Sequence, residues 1–214
     1  GLEIIAELAV NLAKTLHPTT GRYFYWGDDG RPWCQCPECR ALSDSDQALV
    51  VANTICQALR RVEPEAQVAH LAYHNTLKPP KQIRPAEGVF LEYAPIHRRY
   101  DAPYAQQQKP EAPDSLSALD ANLEIFPRDT AQVLEYWLDV SRFSHWKRPA
   151  VKLPWRQDVF LADLETYQKR GIRHITTFAV YIDADYQKRY GDLTFIDQYG
   201  AGFSQTGPAK AGSP

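Results

Sequence analysis

The sequence predicts an α/β fold in which parallel strands are joined by crossover helices, and three observations predict it. Helix-like and strand-like runs alternate along the chain. The runs Val68 to Tyr73 and Gly88 to Tyr93 are almost wholly apolar, as strands covered on both faces are. Strand-like runs also stop repeatedly at acidic or aromatic residues, the kind of side chain a parallel sheet gathers at its strand ends. At 214 residues, 44% of them hydrophobic, the chain is long enough for one substantial core or two small ones.

Leu2, Ile5, Ala9, Leu12 and Leu16 recur every three or four residues, which sets an apolar stripe on a helix ending near His17 and Pro18. Arg22 to Trp26, rich in aromatic β-formers, predicts the first strand, and Gly27-Asp28-Asp29-Gly30 turns the chain. Ser43 opens a second helix through Ala48, Leu49, Ala52, Ile55, Cys56, Leu59 and Val62, with Asp46 three residues on as its partner in a capping box. Val68 to Tyr73 and Gly88 to Tyr93 are the next two strands. Between them, Pro79, Pro80 and Pro85 leave little room for a helix, so this crossover is expected to be irregular.

From Arg99 to Pro113 the prolines and three consecutive glutamines predict a long irregular connection. Asp114 is expected to cap a helix through Leu116, Leu119 and Leu123, and Gln132 to Leu138 a strand ending at Asp139. A helix through Phe160, Leu164 and Tyr167 meets Gly171, and His174 to Ile182 reads as the fifth strand, ending at Asp183. Five such strands fit the C-terminal portion of a (β/α)8 TIM-like barrel with parallel strands; an open doubly wound sheet is the alternative. Residues 1–200 are read as this partial barrel, and residues 201–214, largely Gly, Ser, Ala and Pro, as a mobile tail. With no Met in it, the sequence reads as a piece of a longer chain, and the upstream half of its own barrel is the expected partner.

Lys and Arg total 24 against 26 Asp and Glu, a net charge of -2, so no basic footprint points to nucleic acid or to an anionic membrane. No apolar run approaches the roughly 20 residues that span a bilayer. A cytoplasmic setting is favoured over export.

In parallel barrels the chemistry lies at the C-terminal strand ends. The inventory there is Trp26 with Asp28 and Asp29; Tyr73, His74 and Asn75; Glu92 and Tyr93; Trp137 and Asp139 with Arg142 nearby; and Tyr181 with Asp183. Aromatic faces stack on pyranose rings while carboxylates and amides take the hydroxyls, so the mixture points to an oligosaccharide or polysaccharide substrate. Glycosidic hydrolysis divides its work between two carboxyl groups, and Glu92 with Asp28 or Asp29 are the candidates. Glu92 sits in an apolar strand, where a carboxylate needs either a chemical role or a fixed partner such as Arg98 or Arg142. Asp28 and Asp29 read equally as a plain turn.

Cys34, Cys36 and Cys39 form a C-x-C-x-x-C cluster after the first strand, and Cys56 on the next helix is the candidate fourth ligand of a structural zinc site. A Cys36–Cys39 disulfide and three ordinary thiols are the other readings. No cofactor is required for the carboxylate chemistry. His70 reads as a core histidine, and His74 with Asp183 would serve a metal-dependent hydrolase instead.

The stretches Tyr23 to Arg40 (YFYWGDDGRPWCQCPECR), Ser43 to Asn53, Ala69 to Pro80 (AHLAYHNTLKPP), Val89 to Pro95 (VFLEYAP), Tyr136 to Pro154 and Gly171 to Tyr190 resemble a bacterial family, domain of unknown function 4838. The resemblance implies a glycoside-hydrolase-like (β/α) barrel related to hexosaminidases, α-glucuronidases and endo-β-N-acetylglucosaminidases. The function it implies is hydrolysis of hexosamine- or uronate-containing glycans. A non-catalytic carbohydrate-binding barrel is the alternative from a different class.

Overall fold

The computed structural model describes residues 1–107 and 115–205. Its centre is a sheet of β1 (Arg22–Tyr23), β2 (Gln67–Ala72), β3 (Val89–Tyr93), β4 (Gln132–Glu135) and β5 (His174–Thr177), every adjacent pair parallel. The strands lie side by side in chain order. A doubly wound sheet reverses its order midway, so this sequence of neighbours excludes the open alternative. The result is a curled half-barrel with helices, an α/β fold that matches part of a β/α barrel.

One contact reports the curl directly. Arg22 on β1 donates through Nη1 to Gln132 Oε1 on β4 at 3.0 Å, and through Nη2 to the Thr130 carbonyl. Strands three places apart in a flat sheet lie about 14 Å from each other, so the sheet must bend for one side chain to cross that span. Register then sorts the residues. Glu92 pairs with Leu71 and Gln132, and Gln132 with His174, so Arg22, Leu71, Glu92, Gln132, Leu134 and His174 share the concave face. Tyr23, His70, Leu91, Tyr93, Val133 and Glu135 point to the convex face, under the helices.

Helix α2 (Asp44–Arg60) starts where predicted, with both halves of the Ser43–Asp46 capping box formed. It buries Leu49, Ile55, Cys56 and Leu59. The proline-rich crossover that follows β2 has only a short 3₁₀ turn, His74–Thr76. Side chains of α2 satisfy its backbone instead: Asp46 Oδ1 accepts from Gln82 N and Ile83 N at 2.8 Å each, and Asn53 bonds Arg84 and Ala86. Burial alone would raise the Asp46 carboxyl, but these N–H groups and Ser43 hold it below the usual carboxylate range.

Several boundaries differ from expectation. β1 has two residues because Phe24 to Trp26 leave the ladder, and β4 and β5 end at Glu135 and Thr177, short of Leu138 and Ile182. Beyond β4, Asp139 caps α4 (Val140–Phe143) by accepting from Arg142 N. Beyond β5 the chain turns with Tyr181 at φ +68°, and Asp183 caps α6 (Ala184–Tyr190) instead of ending a strand. Helix α3 (Leu116–Leu123) begins after Ser115, while Asp114 and the end of the irregular connection, from Gln108 onward, lie outside the described residues. Helices α5 (Gln157–Gln168) and α7 (Thr194–Gln205) pack together, with Gly202 against the Phe160 ring. α7 thus enters the stretch read as a tail, and residues 206–214 lie outside the described residues.

Helix α1 (Leu2–Leu16) forms as predicted, yet of its apolar stripe only Ala9 enters the core, while Leu2, Ile5, Leu12 and Leu16 are exposed. Only Ala9 and Ala13 are buried, and Leu8 is 62% exposed. Small residues let α1 lie close on α2 and leave its leucines outside.

Behind β4 lies a buried charge network. Arg98 Nε is 3.1 Å from Glu135 Oε1, and the same guanidinium pairs with Asp163. Tyr100 and Tyr167 donate their hydroxyls to Glu135. His70 is also buried; it stacks on Phe126 at 5.1 Å, neither ring nitrogen has a hydrogen-bond partner, and burial pushes its pKa down to about 4, so the ring is neutral.

Candidate functional site

The C-terminal ends of the five strands surround a cavity of about 280 Å³. Its walls include Trp26 and Asp29 beyond β1, Tyr73 beyond β2, Tyr136 and Asp139 beyond β4, Trp146 from the segment after α4, and Phe178 beyond β5. Two carboxylates and five aromatic side chains therefore share one opening. Asp139 is buried, and its Oδ1 accepts from the Ser141 hydroxyl and, at 3.3 Å, from Arg142 N. Asp29 is exposed on the loop between β1 and α2. Burial first, and then Tyr73, Glu135, Asp139 and Asp29, raise the Tyr136 hydroxyl well above its ordinary pKa, so this phenol is a donor at every physiological pH.

Glu92 lies close by but is not on the cavity wall; it is 1% exposed. Its Oε2 accepts from Trp26 Nε1 at 3.0 Å and its Oε1 from Gln132 Nε2 at 3.1 Å. Burial pushes its pKa up to about 7, against the lowering effect of these two donors and of Arg22. The suggested partners are engaged elsewhere: Arg98 with Glu135 and Asp163, Arg142 over the Tyr100 ring at 4.7 Å and on the Arg98 carbonyl at 3.1 Å.

A second cavity of about 670 Å³ adjoins Trp26 and runs between α1 and α2. Asp28, Trp33, His74 and Asn75 line it together with the exposed Ile5, Leu8 and Leu12 of α1. His74, at φ +48°, has Nδ1 3.0 Å from His97 Nε2, and Asn75 Nδ2 reaches the Arg31 carbonyl at 3.5 Å. Asp28 and Asp29, adjacent in sequence, thus serve different cavities to different extents: Asp29 lines both and Asp28 only the larger.

Other candidates are not brought to the strand-end opening. Tyr93 is fully buried on the convex face, its hydroxyl 3.1 Å from both Tyr104 Oη and the Ser115 carbonyl. Trp137 is 4% exposed and donates to Asp163 at 3.0 Å among Phe160, Tyr167 and Tyr199, which makes it a core residue of the helical layer. Tyr181 lies under the Arg148 guanidinium at 4.1 Å, and Asp183 pairs with that same arginine at 2.6 Å. Among the described residues, His74 and Asp183 belong to no group close enough to hold a metal ion.

Tyr136, Trp146 and Phe178 line the opening without having been singled out in the sequence. Strand register is the signal that separates Tyr136 from Trp137, since Gln132 pairs with concave Glu92 and even-numbered residues of β4 inherit that face. Trp146 has no such signal; it comes from an irregular segment at φ +55°.

The cysteines divide into three and one. The sulfurs of Cys34, Cys36 and Cys39 all lie within 4.8 Å of one another. Cys56 is buried on α2 with its Sγ 3.5 Å from the Glu87 carbonyl, so it is no fourth member of the cluster. All four are free thiols. The nearby Cys39 N–H, the Cys39 and Cys34 side chains and the Glu38 N–H lower the Cys36 pKa.

A family model described as domain of unknown function (DUF4838) matches residues 26–190. No curated protein and no solved structure matches the chain.

Proposed function

Since the chain belongs to the DUF4838 family, whose model covers residues 26–190, we propose that it is a glycoside hydrolase acting on hexosamine- or uronate-containing glycans. One observation carries this reading: Asp29 and Asp139 share a single strand-end cavity with Trp26, Tyr73, Tyr136, Trp146 and Phe178. In the proposed reaction the aromatic faces hold the sugar ring, one carboxyl protonates the leaving oxygen, and the other stabilises or captures the positive anomeric carbon. Glu92 acts from beneath, by holding the Trp26 indole through its N–H. The concave-face residues His174 and Thr176 on β5 are exposed, and further strands beyond the open edges would complete the barrel over them.

Asp29→Asn and Asp139→Asn, each assayed on aryl glycosides and oligosaccharides of both sugar classes, are expected to lower kcat by at least about a hundredfold. Unchanged turnover in both variants would dismiss the carboxyl pair. One feature favours a non-catalytic glycan-binding role instead: one oxygen of Asp139 is already committed to Ser141 and Arg142. Glycan-array binding by a chain that turns over none of the substrates would establish that alternative.

A further inference from the structure

We propose that Cys34, Cys36 and Cys39 form a three-thiolate site for a soft divalent cation, zinc by preference, which fixes the loop between β1 and α2 and keeps one coordination position open to solvent.

Three features converge on it. The first is spacing: thiolates about 2.3 Å from a tetrahedral ion stand about 3.8 Å apart, and the three sulfurs already lie within 4.8 Å of one another. That limit exceeds the ligated spacing by about 1 Å. The second is preorganisation by the backbone. The Cys36 carbonyl accepts from Cys39 N at 3.1 Å and Arg40 N at 3.0 Å, which closes the turn carrying two of the thiols. The third is an anchor from outside the loop. Gln47, buried on α2, donates through Nε2 to the carbonyls of Cys34 and Cys39 at 3.1 and 3.2 Å, drawing both ends of the motif together.

Thiolate donors select zinc over magnesium or calcium, which prefer oxygen. Among the described residues no fourth His, Cys, Asp or Glu donor lies within range of all three sulfurs, so water or a small anion takes the remaining position. Binding converts three thiols and Zn²⁺ into a trithiolate complex of net charge minus one and releases three protons, so the affinity falls as the pH falls. A disulfide would join only two of the three sulfurs. The site stands apart from the glycosidase reading, although its loop also carries Asp29.

The test uses the whole reduced chain, loaded with zinc and then dialysed against a zinc chelator of micromolar affinity. One equivalent of zinc should remain, and Co²⁺ in its place should show thiolate charge-transfer bands with the intense visible absorption of a tetrahedral centre. Cys34→Ser, Cys36→Ser and Cys39→Ser should each weaken binding by at least about tenfold, with far-ultraviolet circular dichroism unchanged, and Cys56→Ser should leave it intact. Failure of the reduced chain to retain zinc overturns the proposal. So does equal loss in Cys56→Ser, or a six-coordinate cobalt spectrum.

Discussion

Glu92 shows how a single side chain sets a pH dependence. Its carboxyl has an ordinary pKa of 4.5, and burial raises it to about 7, so the fold favours the protonated form. Between these values the folded chain binds more protons than the unfolded one, and stability falls as the pH rises. The contribution is complete below about 4.5, is lost through the window up to about 7, and stays lost above it. Glu92→Gln is therefore expected to flatten the pH dependence of the urea midpoint across that window and to stabilise the chain at pH 8 by up to roughly 3 kcal/mol. A midpoint that moves with pH as in the parent would show that another group titrates. The sequence exposed Glu92 as an acid in an apolar strand but not its partners, because Trp26 and Gln132 come from 66 and 40 residues away.

Helix α1 shows what an apolar pattern can and cannot say about an element. Its period marked the helix and its end near His17, yet four of the five residues that defined the stripe are exposed, because α1 meets α2 through Ala9 and Ala13. Leu8→Lys is expected to change unfolding free energy by no more than about 0.5 kcal/mol, as at ordinary surface positions, and a large loss in thermal denaturation would mean that Leu8 is covered. Helix α2 was legible for the opposite reason: a capping box is a local device, and its Ser and Asp need no tertiary information. The second task of Asp46, holding Gln82 and Ile83, was hidden, because the segment it holds has no regular pattern of its own. Strand ends were overextended for a related cause. Beyond Glu135 and Thr177 aromatic and β-branched residues continue, but the β4–β5 ladder ends at that pair, with one further backbone bond from Phe178 N to the Glu135 carbonyl.

At the scale of the molecule, alternation of helix and strand was enough to predict a parallel sheet, but it fits a doubly wound order as well as a barrel, and the chain-order arrangement of strands emerged only from the structure. The charges buried behind β4 were not foreseeable, since Arg98, Glu135 and Asp163 gain meaning only once the connection after β3 folds back over the convex face. Their cost is asymmetric. Arg98→Met leaves two carboxyls buried without their cation and should destabilise the chain by about 3 to 5 kcal/mol, read as a lower urea midpoint with an unchanged slope. A loss below 1 kcal/mol would mean that water reaches Glu135 and Asp163. The crossing of Arg22 from the first strand to the fourth has a different consequence. It is a tie-rod at the foot of an arch: by fixing the span at the base, it governs how far apart Trp26 and Tyr136 stand at the rim, so the width of the opening is decided at the end of the strands farthest from it.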